Sequence, residues 1–196
     1  MQSLSERIVE AAVKLFAGRG FHGTSMRAIA GAAGVSIGAI YHHFPSKDAV
    51  FLAILREEYE RRREAIEELK SFGLPPQEMV RRIAQLHFEL LERRRDSVRL
   101  LSQMLPREHP RLRRELEDLE EEFAGHVAHL LEEGMEEGEV RQCHSWIAAY
   151  ALLGMAKAVT ARALAGDERA QELHRYGPGE LAELAWRALR PEGVIQ

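Results

Sequence analysis

Between Ala28 and Ser46 the chain carries no Asp, Glu, Lys or Arg; small, apolar and hydroxyl-bearing residues stand there instead. Ser36, Ile37, Gly38, Ala39, Tyr41 and His42 follow Gly34 at the spacing of two short helices joined by a tight turn. A serine hydroxyl hydrogen-bonds a base edge or a phosphate, and Ile37 and Ala39 suit a thymine methyl. Gly38 allows close backbone approach. Tyr41, His42 and Lys47 lie beyond the base-reading turn, where backbone oxygens would run. Thr24, Ser25 and Arg27 do the same at the start of the preceding helix, and helix N-termini attract anions.

Positioning these groups requires a rigid corner. Ile29, Ala30, Ala33, Val35, Ile40 and Phe44 give its inward face, and the small residues between them let the two helices meet closely. The turn at Gly34 calls for a positive φ, which glycine adopts without steric cost. This is the grammar of a helix-turn-helix whose second helix enters a major groove. The same grammar also describes a buried two-helix corner with no ligand. Residues 1–50 carry five basic and three acidic side chains within a chain of net charge −4, so a small cationic unit precedes a larger anionic one.

Period-3.6 apolar stripes recur along the whole chain and no window alternates with period two, which predicts an all-α fold of about nine helices. Ser3 and Glu6 make a capping box for a first helix over Ile8, Ala12 and Phe16, closed by Gly18 to Gly20. Thr24 is the expected N-cap of a helix from Met26 to Ala33, Ser36 of one reaching Phe44, and Ser46 of a long one to about Lys70. Pro75-Pro76 opens the next, Asp96 caps a short one ended by Pro106, and Pro110 begins a longer one stopped near Gly134. Ser145 caps an apolar helix to Ala165. Gly166 to Gly177 reads as a polar connection, with Pro178 opening the last helix.

Other chemistry is weaker. His126 and His129, at i and i+3, could share a metal with Cys143 and His144 downstream, but such spacing is common on helices and no metal is assigned. Ser102 and Ser145 lack a nucleophile elbow, and there is no glycine-rich phosphate loop, so no catalytic residue, enzyme activity or cofactor is expected. The single Cys143 cannot form an internal disulfide, and no stretch reads as a secretion signal or membrane span, pointing to the cytoplasm. Asparagine is absent and Arg and Glu outnumber Lys and Asp, which fits a thermophilic source.

Residues 6–52 resemble the DNA-binding domain of TetR-family transcriptional regulators. The resemblance lies in IVEAAVKLF from Ile8 to Phe16, GFHGTS from Gly20 to Ser25, IAGAAGVS from Ile29 to Ser36 and GAIYHHFPSK from Gly38 to Lys47. It implies base contacts by Ser36 to Ala39 and backbone contacts by Tyr41, His42 and Lys47. Ile37 departs from the polar or basic residue often found there, so readout would lean on apolar contact and groove shape. The implied organisation is a helix-turn-helix DNA-binding domain, 1–48, and a helical effector-binding and dimerisation domain, 49–196. The implied function is a ligand-responsive regulator, a repressor, that binds a palindromic operator as a homodimer and is released by a small organic effector such as an acyl-CoA.

Within the second domain the apolar helix from 146 and the last helix are expected to form the dimer, through Trp146, Ala149, Leu153, Leu181, Leu184 and Trp186. The effector pocket is expected at His87, Leu90, Leu91, Met104, Phe123, His126, Val127, Trp146, Tyr150 and Met155. Arginines from Arg93 to Arg114 could meet the phosphates of an acyl-CoA, or could be a solvated face paired to glutamates. The alternative is a helical small-molecule carrier or interaction module without DNA binding.

Overall fold

Ser3 accepts a hydrogen bond from the Glu6 backbone at 3.1 Å and donates its own backbone N–H to the Glu6 carboxylate at 2.7 Å. The expected capping box therefore opens the first helix of a computed structural model that describes residues 3–103 and 109–191. Nine helices and no strand occur among the described residues. They are α1 (Leu4–Arg19), α2 (Met26–Ala33), α3 (Ile37–His43), α4 (Lys47–Ser71), α5 (Pro76–Arg93), α6 (Arg95–Gln103), α7 (Pro110–Glu136), α8 (Ser145–Ala163) and α9 (Glu168–Leu189). None is long and apolar enough to cross a membrane.

The chain forms two compact units, residues 1–60 with 94–119 and residues 61–93 with 120–196. The first is built round Phe16, Phe21 and Phe51, whose rings pack at 5.3–5.7 Å, with Ile8, Ile29, Ile40 and Leu55 fully buried beside them. Leu100 of α6 and Leu112 of α7 complete this core. Glu58, 2% exposed, is held there by Arg94, whose Nε donates to its carboxylate at 2.6 Å. A carboxylate so far out of water depends on that partner.

In the second unit α9 packs on α5 and α8. Gly177 of α9 sits so close to the Phe88 ring of α5 that a side chain there would overlap it. Ala128, Leu131, Ala149 and Leu189 form a further buried cluster.

Four boundaries differ from the expected ones, the first being that Asp96 lies in the first turn of α6, which starts at Arg95, instead of capping it. Ser25, not Thr24, caps α2, its hydroxyl accepting from the Ala28 backbone at 3.1 Å. Ser145 is the first residue of α8 rather than its cap, and its hydroxyl donates to Glu132 at 2.6 Å. The polar stretch before Pro178 is the first half of α9. Asp167 caps it by accepting from the Ala170 backbone at 3.0 Å, and Pro178 lies inside the helix. An interior proline loses one helix hydrogen bond and crowds the carbonyl of the preceding turn, and the buried face of Ala170, Gly177, Ala182 and Ala185 carries the helix through it. Leu105, Pro106 and Met104 lie outside the described residues.

Candidate nucleic-acid interface and ligand cavity

The α2–α3 corner is set from three sides. Gly34 takes the left-handed conformation, φ 65° and ψ 39°, and returns its N–H to Ala30 and Gly31. Ser36 caps α3 by accepting from the Ala39 backbone at 3.0 Å. Arg7, from α1, donates to the Ala33 carbonyl at 2.6 Å, placing a cation on the C-terminal end of α2. The inward set behaves as its spacing implies. Ile29, Ala30, Ala33, Ile40 and Phe44 are buried and Val35 is half-buried.

Seven of the ten expected contact residues, Ser25, Arg27, Ser36, Ile37, Gly38, Tyr41 and His42, are exposed, Ile37 at 43% and Tyr41 at 52%. Ala39 is half-buried among them. The other two are placed differently. Thr24 is buried, its hydroxyl donating to the Gly20 carbonyl at 2.9 Å. Lys47 is half-buried, its ammonium donating to the Phe21 carbonyl at 2.6 Å and the Thr24 carbonyl at 2.9 Å while lying over the Phe21 ring. Thr24 thus ties the α1–α2 loop back to the end of α1, and Lys47 ties the same loop to the start of α4. Arg7 escaped the sequence reading because its partner is 26 residues away; a lone basic residue on α1 gives no local sign of that.

The second unit carries a partly open cavity of about 530 Å³, within the range typical of small-molecule sites. Of the residues expected at the effector pocket, His87, Leu90, Phe123, Val127 and Met155 line this cavity. Four others do not. Leu91 is buried but does not line the cavity, His126 points at Glu67 with its Nε2 3.4 Å from the carboxylate, and Trp146 and Tyr150 are exposed. Met104 lies outside the described residues. The spacing located the right helices but not the rotation that decides which side of each meets the void. Ile66 of α4, Ile83 of α5, Leu152 of α8 and Trp186 of α9, all cavity-lining, were not singled out for the pocket.

His87 bonds the Thr160 hydroxyl at 2.6 Å. Burial pushes its imidazole down to about 4, helped by the Arg62 charge and opposed by a hydrogen bond with the Ala156 backbone. It is therefore neutral at pH 7. At another part of the lining the Glu133 carboxylate meets the Lys70 ammonium at 2.5 Å, which holds Lys70 above its ordinary value.

Among the described residues, none of the arginines from Arg93 to Arg114 lines the cavity. Arg94 pairs with Glu58, and Arg93 lies 3.7 Å from Glu89. Among the described residues no group of three or more His, Cys, Asp or Glu could hold a metal ion. On α8 and α9, Ile147 (67%), Tyr150 (52%), Tyr176 (56%) and Leu184 (56%) are exposed, as is Trp146. Ala149, expected in the dimer contact, is fully buried, and Leu153, Leu181 and Trp186 face the cavity instead.

These features define an all-helical protein with a helix-turn-helix in one unit and a cavity in the other. Residues 8–54 match the family model described as bacterial regulatory proteins, tetR family, and residues 73–161 match tetracyclin repressor-like, C-terminal domain. The chain belongs to the TetR family of helix-turn-helix transcriptional regulators. It is 33% identical over 98 residues to the uncharacterized HTH-type transcriptional regulator YuxN of Bacillus subtilis, covering 50% of this chain and 34% of that protein. It is 41% identical over 63 residues to the transcriptional repressor AcnR of Corynebacterium glutamicum, covering 32% and 34%. The chain thus spans about a third of the length of these curated relatives. The fold matches a crystal structure of the Bacillus subtilis regulator FadR in complex with stearoyl-CoA, with a TM-score of 0.80, 22% identity and coverage of 93% and 97%.

Proposed function

We propose that the chain is a one-component repressor that binds a palindromic operator as a homodimer and leaves it when a small apolar molecule enters the α4–α9 cavity. The observation that carries this is the outward, acid-free face of α3, with Ser36, Ile37, Gly38 and His42 presented above a corner locked by Arg7 and Gly34. Ser36, Ile37, Gly38 and Ala39 read bases. Ser25, Arg27, Tyr41 and His42 hold the phosphate backbone, and Thr24 and Lys47 serve by fixing the loop beneath them.

The exposed Ile147, Tyr150 and Leu184 support a second copy covering α8 and α9, since large apolar side chains left in water favour a partner that covers them. A two-fold pair would set its reading helices about 34–36 Å apart, or a multiple of that. AcnR, named a repressor, favours repression, and the stearoyl-CoA held by FadR favours an effector with an alkyl chain. Such a protein works in the cytoplasm, where the chromosome is.

A gel shift with the DNA upstream of the protein's own gene tests the reading. A retarded band at low salt, lost as salt rises and lost on adding an alkyl ligand, supports it. No band at low salt contradicts it and leaves a carrier.

A further inference from the structure

Glu58 and Arg94 meet in the first unit, next to two of the points where the chain leaves it. That unit breaks off at Glu60, on α4, and resumes at Arg94. Arg94 is also the single residue between α5, which ends at Arg93, and α6, which begins at Arg95. Its Nε and Nη2 both lie 2.6 Å from Oε1 of Glu58, which is 2% exposed. An apolar pair often fills such a place at equal or better stability, because taking two charges out of water offsets most of their attraction. What the charges add is direction: the guanidinium fork bonds the carboxylate at one setting of the α5–α6 joint and not at others. Glu57, one position earlier and half-buried, holds a second carboxylate 3.8 Å from Arg94 Nη2. The cation can therefore shift without being stranded.

From this joint α5 leads to the cavity, to which it contributes Ile83, Leu86, His87 and Leu90, the last of them one helical turn before Arg94. α6 leads the other way. It puts Leu100 into the core of the first unit and packs on α1, whose Arg7 closes α2 beneath the reading corner. We infer that the Arg94–Glu58 pair is the joint through which cavity occupancy changes DNA affinity. Its members are positioning residues, and neither lines the cavity. The inference rests on the proposed reading of the cavity as the effector site. A ligand that displaces the α5 wall turns the end of that helix, draws Arg94 from Glu58 towards Glu57, and moves α6 and α1 with it. Its binding energy goes into the difference between those two states.

Dodecanol, dodecanoate and lauroyl-CoA, below their micellar concentrations, serve as probes. Calorimetry gives their affinity for the full chain, and anisotropy gives operator affinity with and without saturating probe. In the unaltered chain a bound probe is expected to weaken operator binding about tenfold or more. Glu58→Met with Arg94→Met should keep probe affinity and probe-free operator affinity within about threefold, while cutting the effect of the probe on the operator to about twofold or less. Arg94→Lys, which keeps a cation but loses the fork, should fall between the two. A double variant that responds to the probe like the unaltered chain overturns the joint. So does one in which both affinities fall along with the probe effect, as a plain structural brace would produce. If the double variant does not fold, Glu58→Gln, which keeps a weaker hydrogen bond, is read by the same two outcomes. If no probe binds the unaltered chain, or a bound probe leaves its operator affinity unchanged, the proposed effector site fails and the joint falls with it.

Discussion

The Arg7 guanidinium donates to the Ala33 carbonyl at 2.6 Å, so the first helix of the chain closes the last turn of the second directly beneath Gly34. A charged donor on a helix C-terminus is worth more than a neutral one. Arg7→Ala is expected to destabilise the first unit by about 1–2 kcal/mol. DNA affinity should fall even though Arg7 touches no base. Urea denaturation and DNA titration of the same variant check both effects, and Arg7→Lys should restore only part of each.

Gly34 sits at φ 65°. Gly34→Ala forces a side chain into the left-handed region and is expected to cost about 1 kcal/mol, with lower operator affinity. A methyl group added at Gly38, near the start of α3, would meet the Ser36 hydroxyl only at an ordinary 3.9 Å. Gly38→Ala should therefore leave stability within about 0.5 kcal/mol and weaken only DNA binding. Thermal melts beside operator titrations separate the two.

Arg27 is exposed at the first turn of α2 and Ile37 at that of α3. Arg27→Ala should weaken all DNA sequences alike and lower the slope of log affinity against log salt by about one. Ile37→Ala should leave that slope unchanged and relax preference at one base pair of each half-site. Anisotropy titrations at several salt concentrations, on the operator and on scrambled DNA, distinguish these roles.

How far the sequence could be read follows from the range of each interaction. The corner of α2 and α3 was legible because its information is local: Gly34, the Ser36 cap and the inward apolar set all lie within a few residues of one another. The all-helical fold and the helices that surround the cavity were legible from apolar periodicity for the same reason. The first half of α9 was not, because Pro178 outweighs a polar stretch when only propensity is counted, and the contact of Gly177 with Phe88 spans α5 and α9. Lys47 reads as a backbone contact from its position beyond the base-reading turn, whereas two carbonyls of the α1–α2 loop draw its ammonium inward. Ala149 and Leu153 were assigned to a subunit contact because α8 is apolar on more than one side, and sequence alone does not say which side meets the interior.

Gly177→Ala places a methyl group on the Phe88 ring. It is expected to destabilise the second unit by about 1–3 kcal/mol. Phe88→Leu in the same chain should recover part of that loss if the overlap is the cause, and denaturant midpoints of the two variants and their combination measure the coupling.

His87 titrates near 4 in the folded chain against an ordinary 6.5. Between those values the unfolded chain binds a proton that the folded chain refuses, so stability rises with pH through that window and falls as pH drops from about 6.5 towards 4. The loss approaches about 3 kcal/mol. His126, lowered chiefly by burial, acts in the same direction. The difference between the chain and His87→Gln isolates the first group: urea midpoints should converge as pH is lowered from 7 to 4.5.

The central claim is that the α2–α3 corner, present twice in a dimer, reads DNA and lets go when the cavity fills. Selection of binding duplexes from a random pool, followed by anisotropy titration of the recovered sequence, tests it most directly. The expected result is an inverted repeat with half-sites one helical turn or a multiple apart. Its affinity should fall by about a thousandfold between 50 and 200 mM salt and fall again when a cavity ligand is added. A pool that stays random through every round, or a duplex whose binding ignores both salt and ligand, would contradict the account.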